Sequence, residues 1–308
     1  MTAIRVAIVG AGKIARDRHI PAISGADGIE LAAIVDPNAS IDGIAHFATL
    51  DELLAAKHPI DAVALCTPPQ TRLVLAAAAL KAGKHVLLEK PPGSTVSELA
   101  PLVATARQGG RALFAAWHSR FAPAVEPARA LLSERQIKSV VVEWKEDVRI
   151  WHPGQGWIWE PGGLGVFDPG INALSIMTRI LPRPFFVTQA ELSFPRNRAA
   201  PIAANLTFSD DNGLPIHAEF DWRQNGSQIW EIRIESDAGH LTLASGGRRL
   251  IHNDRTLVDE PKAEYPAIYR RFIELIANGV SDVDLSPLAH VADAFMLGRR
   301  RDVEPFED

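Results

Sequence analysis

A glycine turn and a handful of polar side chains carry most of the chemistry open to this chain. The turn is Val9-Gly10-Ala11-Gly12-Lys13-Ile14-Ala15, a Gly-x-Gly-x-x-Ala spacing that follows the apolar run 4–9. A strand that turns at two glycines into a helix points free backbone N–H groups at one spot, which suits a phosphate. The first glycine permits the turn, the second lets a diphosphate approach the backbone, and the third small residue allows helix to pack on strand. A second apolar run, Leu31-Ala32-Ala33-Ile34-Val35, ends at Asp36, 21 positions after Ala15. That is close to the ~20-residue spacing at which a carboxylate meets a ribose 2′-hydroxyl, so the pattern predicts a dinucleotide site. Asp36-Pro37-Asn38 puts an anion where a 2′-phosphate would sit and no cation beside it. NAD is therefore expected over NADP, with Arg16 or Arg18 as the cations that would soften the preference.

Further candidates lie at strand ends and in one crowded stretch. The apolar run 61–66 stops at Cys66-Thr67-Pro68-Pro69, and the run 85–88 stops at Glu89-Lys90-Pro91-Pro92. Paired prolines stiffen the chain and cannot continue a ladder. Lys90 thus falls on a rigid turn at the same sheet edge as the glycines, either placed for chemistry or serving as a solvated loop charge. In the strand expected over 138–148, residues 140, 142, 144 and 146 share one face by the two-residue period. Glu146 ends that apolar stripe and needs a partner there, either substrate hydroxyls or an arginine. His152 lies in the loop Trp151-His152-Pro153-Gly154. Asp168-Pro169-Gly170-Ile171-Asn172 follows a Gly-rich run, and Asp168 and Asn172, four apart, share a helix face. Asp168 could equally serve as a helix cap, with Pro169 in the first turn. Four of the seven tryptophans fall within residues 144–159. Aromatic faces suit the C–H faces of a sugar, although each tryptophan singly also fits a domain-interface core.

The elements that must position these groups follow from patterning. Up to about residue 118, runs at 4–9, 30–35, 61–66, 85–88 and 111–116 alternate with helical patterns near 13–24, 49–57, 71–82 and 95–108. Thr95-Val96-Ser97-Glu98 reads as a capping box for the last of these. Such alternation predicts a parallel sheet covered on both faces, with ligands beyond the carboxyl ends of its strands. After residue 120 a helix near 122–135 and the strand 138–148 lead to strands at 185–194, 202–209, 215–223, 229–236 and 240–244. Short turns separate these, which implies an antiparallel sheet. Helices near 262–278 and 286–300 end the chain. The fold class expected is α/β, a Rossmann domain over 1–120 and a substrate domain over 121–308 built on a largely antiparallel open sheet.

Composition narrows the remaining classes. The 308 residues favour two domains, and 47% hydrophobic content fills a sizeable core. A net charge of −5 gives no reason to expect nucleic acid or an anionic membrane. The single cysteine, Cys66, leaves no internal disulfide and no cysteine-based zinc site, and fits a reducing compartment. No histidine spacing suggests a metal site, so none is expected. No run approaches ~18 apolar residues and the N-terminus has no signal-peptide pattern, so a cytoplasmic protein is expected. One broad open sheet face makes a homodimer the expected assembly.

The glycine turn, Thr67-Pro68-Pro69, Glu89-Lys90-Pro91-Pro92 and Asp168-x-Gly170 together resemble the glucose–fructose oxidoreductase/inositol dehydrogenase/MocA (Gfo/Idh/MocA) family over essentially the whole chain. Within it, Trp117-His118-Ser119-Arg120, Trp144-Lys145-Glu146-Asp147, Trp151-His152-Pro153-Gly154-Gln155 and the stretch 157–172 are similar to bacterial L-arabinose/D-galactose 1-dehydrogenases. The resemblance implies oxidation of a monosaccharide at its anomeric carbon to a lactone with NAD(P). It implies Lys90 and Asp168 as proton-transfer groups, and Glu146, His152 and Asn172 as sugar-binding groups. The dinucleotide is expected on Gly10, Gly12, Lys13, Ile14, Asp36, Thr67, Pro68, Pro69, Glu89, Lys90 and His118. Much of the wider family has histidine where this chain has Asn172, and an amide orients a hydroxyl but does not titrate. The base is then Lys90, which needs a lowered pKa, or Asp168, which needs a raised one. An inositol- or dihydrodiol-type dehydrogenase of the same family, and a non-catalytic dinucleotide or sugar sensor, are the alternatives.

Overall fold

The computed structural model describes residues 3–261 and 263–307. By their contacts these form two compact units. One runs to His118 and takes back Glu264–Asp284; the other holds Ser119–Ala263 and the chain from Leu285 onward.

In the first unit, six strands, β1 (Ile4–Val9), β2 (Ile29–Val35), β3 (Ala45–Phe47), β4 (Ala62–Leu65), β5 (His85–Glu89) and β6 (Leu113–Ala116), lie in the order β3-β2-β1-β4-β5-β6. Every neighbouring pair is parallel. Strands β4, β5 and β6 are buried along their whole length, as expected when helices cover both faces. The order reverses between β1 and β4, so their carboxyl ends open the crevice in which ligands of such sheets bind. Edge strand β3 was not anticipated; three half-exposed residues carry too little pattern to be read. The helix expected over 95–108 starts only at Leu99, with no side-chain cap. Glu98 does turn its carboxylate back onto the N–H groups of Ser94 and Thr95, so half of the expected capping box exists ahead of the helix. The helical stretch after the glycine turn widens into a π-helical turn over Ala15–His19 before the α-helix Ile20–Ser24. Returning helix Glu264–Asn278 packs on β6 and on Ile20–Ser24.

The second unit holds nine strands: β7 (Ile137–Lys145), β8 (Phe185–Pro195), β9 (Ala203–Asp210), β10 (Ile216–Asp221), β11 (Ile229–Ser236), β12 (Gly239–Ala244), β13 (Arg249–His252), β14 (Arg255–Asp259) and β15 (Arg299–Val303). Their order is β14-β13-β12-β11-β7-β10-β9-β8-β15. Pairs β7–β10 and β8–β15 are parallel, the others antiparallel. Helix Phe167–Ile180 packs on β7 and on helices Val125–Leu132 and Ser286–Leu297. Two expectations differ here. The last helix stops at Leu297, because the charged alternation Arg299-Arg300-Arg301-Asp302 joins β8 as an edge strand instead. The hairpin β13–β14 turns on Asn253 and Asp254, at φ 47° and 62°, without the glycine that flags such turns in sequence. Among the described residues no helix is long and apolar enough to cross a membrane.

Candidate active site

In the first unit the glycine turn is fixed by its neighbours. Gly10 has φ +91°, and a Cβ there would lie 2.9 Å from Thr67 Cγ2 and 3.0 Å from Thr67 N, so a side chain is barred by conformation and by space. A Cβ on Gly12 would meet nothing within 4 Å, which leaves open space against the backbone where a diphosphate needs it. Asp36 is held beside the turn: Oδ2 accepts the Ala11 N–H and Oδ1 the Asn38 N–H, both at 2.8 Å. These positions fit the dinucleotide expected from the sequence. Arg16, a candidate for softening coenzyme preference, sends its Nε–H to the Ala11 carbonyl at 2.9 Å, while Arg18 is exposed. Lys13 is exposed and paired with Asp17, and Ile14 is an exposed apolar side chain. Thr67 follows β4, with Pro68 just before the helix Pro69–Lys81 and Pro69 as its first residue, where proline is well tolerated.

Beyond β5 the groups become buried and charged. Lys90 is half-buried, and its N–H donates to Glu89 Oε2 at 2.7 Å. Glu89 Oε1 accepts the Tyr265 hydroxyl at 2.6 Å and faces His19 Nε2 at 3.1 Å, while His19 Nδ1 meets the Tyr269 hydroxyl at 2.7 Å. Burial opposes charge on His19, but Cys66, Tyr269 and the hydrogen bond to Glu89 outweigh it and raise its pKa well above the usual imidazole range. Burial likewise opposes ionisation of Glu89, and the hydrogen bond and charge of His19, with His118 and Tyr265, hold it well below the usual carboxylate range. Burial chiefly pushes Tyr269 up to about 12. His118 binds Glu264 Oε2 through Nδ1 at 3.0 Å and stacks on Tyr265. Glu89 thus meets three protein donors, although the resemblance implied a place against the dinucleotide.

In the second unit the alternation of β7 continues as read: Val140, Val142, Trp144 and Glu146 are all buried. Two indoles, rather than an arginine, hold Glu146: Trp222 Nε1 donates to Oε1 at 3.3 Å and Trp230 Nε1 to Oε2 at 2.9 Å. His152 Nε2 lies 3.5 Å from Glu146 Oε1 and 3.7 Å from Asp168 Oδ2, so three of the sequence candidates meet around one imidazole. Asp168 is buried in the first turn of Phe167–Ile180; Val166, not Asp168, is the cap. The loop before it comes so close to its neighbour that a Cβ on Gly165, at φ +53°, would stand 2.3 Å from the Pro201 carbonyl. Asn172 follows one turn later, half-buried. Trp159 packs against Trp222 and Phe306, and its buried indole N–H finds no partner among the described residues. No cluster able to hold a metal ion exists among the described residues.

Sequence reading missed His19, Arg72, Tyr265 and Tyr269 in the first unit and Trp222 and Trp230 in the second. The Trp222 signal was present. Ile216, Ala218 and Phe220 are buried in β10, whose parallel register with β7 pairs Phe220 with Trp144, so the next residue on that face stands beside Glu146.

Residues 4–116 match the family described as "Oxidoreductase family, NAD-binding Rossmann fold" (GFO_IDH_MocA). The chain is 47% identical over 309 aligned residues, 100% of either chain, to the galactose 1-dehydrogenase of Pseudomonas fluorescens. It is 57% identical to a D-galactose-1-dehydrogenase from Rhizobium etli of known crystal structure, with a TM-score of 0.96 over 100% of this chain and 99% of that one. At 19% identity, a 3-ketoreductase from Actinomadura kijaniata solved with NADP and TDP-benzene shares the fold, with a TM-score of 0.84 over 98% of this chain and 100% of that one.

Proposed function

As the chain belongs to the Gfo/Idh/MocA family of oxidoreductases, we propose that it is an aldose 1-dehydrogenase converting D-galactose or L-arabinose to the lactone with NAD. The observation that carries this reading is the meeting of Glu146 and Asp168 around the Nε2 of His152, whose ring lies beside the Trp222 indole. Buried carboxylates beside a half-buried imidazole suit the hydroxyls of a sugar, and indole faces suit its C–H surface. The full-length identity to galactose 1-dehydrogenases supports the same substrate class.

Oxidation at C1 requires the O1 proton to leave as hydride departs C1, so that a C=O bond replaces the C–H and O–H bonds. Bound nicotinamide supplies the hydride acceptor. Gly10, Gly12 and Asp36 hold the dinucleotide in this reading. Glu146, His152 and Asn172 orient ring hydroxyls. Lys90 and Asp168 are the candidates for taking the O1 proton. The test is reduced-nicotinamide absorbance with aldoses that differ at one hydroxyl, with NAD and NADP in parallel. D-Galactose and L-arabinose share ring configuration and differ only at the C5 substituent, so both are expected to turn over. D-Glucose, the C4 epimer, is expected to fall behind, since an inverted hydroxyl leaves buried groups unpaired at about 1–3 kcal/mol each. Equal turnover of glucose and galactose would contradict the reading, and no turnover of any aldose would end it.

A further inference from the structure

Lys90 is gripped through its backbone from two sides. On one side Glu89, 2% exposed, takes the Lys90 N–H on Oε2 and is itself fastened through Oε1 by Tyr265 and His19. His19, fully buried, comes from the π-helical turn that follows the glycines, and the two tyrosines come from the helix Glu264–Asn278. On the other side Arg72, 4% exposed, donates from one guanidinium nitrogen to the carbonyls of both Glu89 and Pro91, which bracket Lys90. Its Nε–H reaches the Thr67 carbonyl at 2.8 Å. Thr67 is the residue against which Gly10 is packed. One guanidinium therefore ties the Lys90 turn to the strand end that shapes the dinucleotide cradle.

Apolar side chains of similar size would bury this surface at less cost, because charges taken out of water must be repaid by their own contacts. What apolar packing does not supply is direction. A carboxylate accepting one chosen N–H, and a planar fork donating to chosen carbonyls, fix a backbone in three dimensions. We propose that Glu89 and Arg72 are positioning residues for Lys90, holding its backbone so that the amine stays in register with the bound dinucleotide. The proposal rests on Lys90 handling the proton as described above. Tyr265 and His19 act one step further out, by keeping Glu89 oriented and charged.

The test uses the full chain with Glu89→Gln, Arg72→Lys and Tyr265→Phe. The latter two keep the Glu89–His19 pair, so they carry the test if Glu89→Gln does not fold. Two readouts are taken: kcat and KM for NAD and galactose, and the NMR signal of ¹³C-dimethylated Lys90, assigned by its loss in Lys90→Arg. Arg72→Lys retains charge but loses the planar fork. It and Glu89→Gln are expected to lower kcat at least tenfold, in keeping with the cost of small misplacement at a reacting group. KM for NAD is expected to stay within twofold, and the Lys90 signal to move toward that of an exposed lysine. Tyr265→Phe is expected to lower kcat several-fold in the same pattern. The proposal is overturned if folded Arg72→Lys and Tyr265→Phe keep kcat within twofold with the Lys90 signal unmoved, or if kcat falls only together with a matching rise in KM for NAD. If Lys90→Met itself keeps normal kcat, the catalytic premise fails and the positioning role fails with it. That outcome is told apart because it appears in Lys90→Met, whatever the NMR signal does.

Discussion

Glu89 in the first unit and Glu146 in the second are both deeply buried, at 2% and 4% exposure, yet their oxygens are spent differently. Glu89 meets a hydroxyl at 2.6 Å, a backbone N–H at 2.7 Å and an imidazole at 3.1 Å. Glu146 has one indole at 2.9 Å, a second at 3.3 Å, and an imidazole nitrogen only at 3.5 Å. A carboxylate offers about four acceptor positions, so Glu89 is close to filled by short bonds whereas Glu146 retains capacity for a ligand hydroxyl. The difference separates a carboxylate whose acceptor positions are taken up by the protein from one that fits the proposed sugar-binding role. Burial alone would have ranked them together.

The largest effects are expected at Lys90 and Asp168, the proposed proton-transfer groups beside these two carboxylates. Lys90→Met and Asp168→Asn are each expected to lower kcat by about 10²–10⁴-fold, the usual worth of a positioned acid or base. Their effect on KM should be small. Because Val166 rather than Asp168 caps its helix, the Asn substitution should leave the fold intact. Normal kcat in Asp168→Asn would leave Lys90 as the sole base, and normal kcat in both would end the mechanism.

Stability should separate the two carboxylates next. His19→Leu removes the partner of a buried charge and is expected to cost about 3–5 kcal/mol, read as a lower melting temperature. The pH dependence follows from the directions of the shifts. His19 is raised, so its contribution is complete below the unfolded value of about 6.5 and is lost as pH rises through the higher folded value. Glu89 is lowered, so its contribution is complete above about 4.3 and is lost as pH falls through the lower folded value. Melting temperature should therefore be greatest between those two values and decline on both sides. In His19→Leu the alkaline decline due to this pair should vanish. An unchanged melting temperature near pH 6 would show that the pair contributes nothing.

Glu146→Gln keeps the shape but presents one oxygen, so it accepts from one indole and turns its amide N–H2 to the other; its melting temperature should fall, but by less than that of His19→Leu. Its effect should fall on KM for the sugar, raised about tenfold for the loss of roughly 1–2 kcal/mol in a hydrogen bond to a charged group. Trp230→Phe, which removes the 2.9 Å donor, should do the same more weakly. A Glu146→Gln variant that unfolds but retains KM would place Glu146 with Glu89 and erase the distinction.

How far these differences could be read in advance depended on period and reach. The stripe ending at Glu146 was legible because a strand alternates strictly, and the glycine turn because its spacing reflects a backbone requirement. The first-unit sheet was equally plain, since buried parallel strands are continuous apolar runs. His19, Arg72, Tyr265 and Tyr269 were not legible. The π-helical turn over Ala15–His19 breaks the 3.6-residue period that would place His19, and the tyrosines return from some 250 residues downstream, at a distance no local pattern spans. Short strands such as Ala45–Phe47 failed for want of pattern, and the edge strand Arg299–Val303 because its charges resemble a helix end.

The smallest effect expected concerns the coenzyme. Asp36 keeps one oxygen on the Ala11 N–H and the other on the Asn38 N–H, which leaves its remaining acceptor positions for ribose hydroxyls. A 2′-phosphate there would meet a carboxylate already held in place, unable to swing away without releasing the glycine turn. Arg16 is drawn to the Ala11 carbonyl and Lys13 to Asp17, so the nearest cations in sequence are engaged elsewhere. NAD should accordingly be used several-fold more efficiently than NADP, with each 1.4 kcal/mol of repulsion worth about tenfold. Asp36→Ser with Pro37→Arg should narrow or reverse the ratio of kcat/KM values while kcat with NAD changes little. The substitution also removes the acceptor for the Ala11 N–H, so some loss of affinity for both coenzymes is expected. The ratio, not either value alone, is the measurement that decides. An unmodified protein that uses NADP as well as NAD would show that the fixed carboxylate is no barrier, and that the space around Arg18 admits a phosphate.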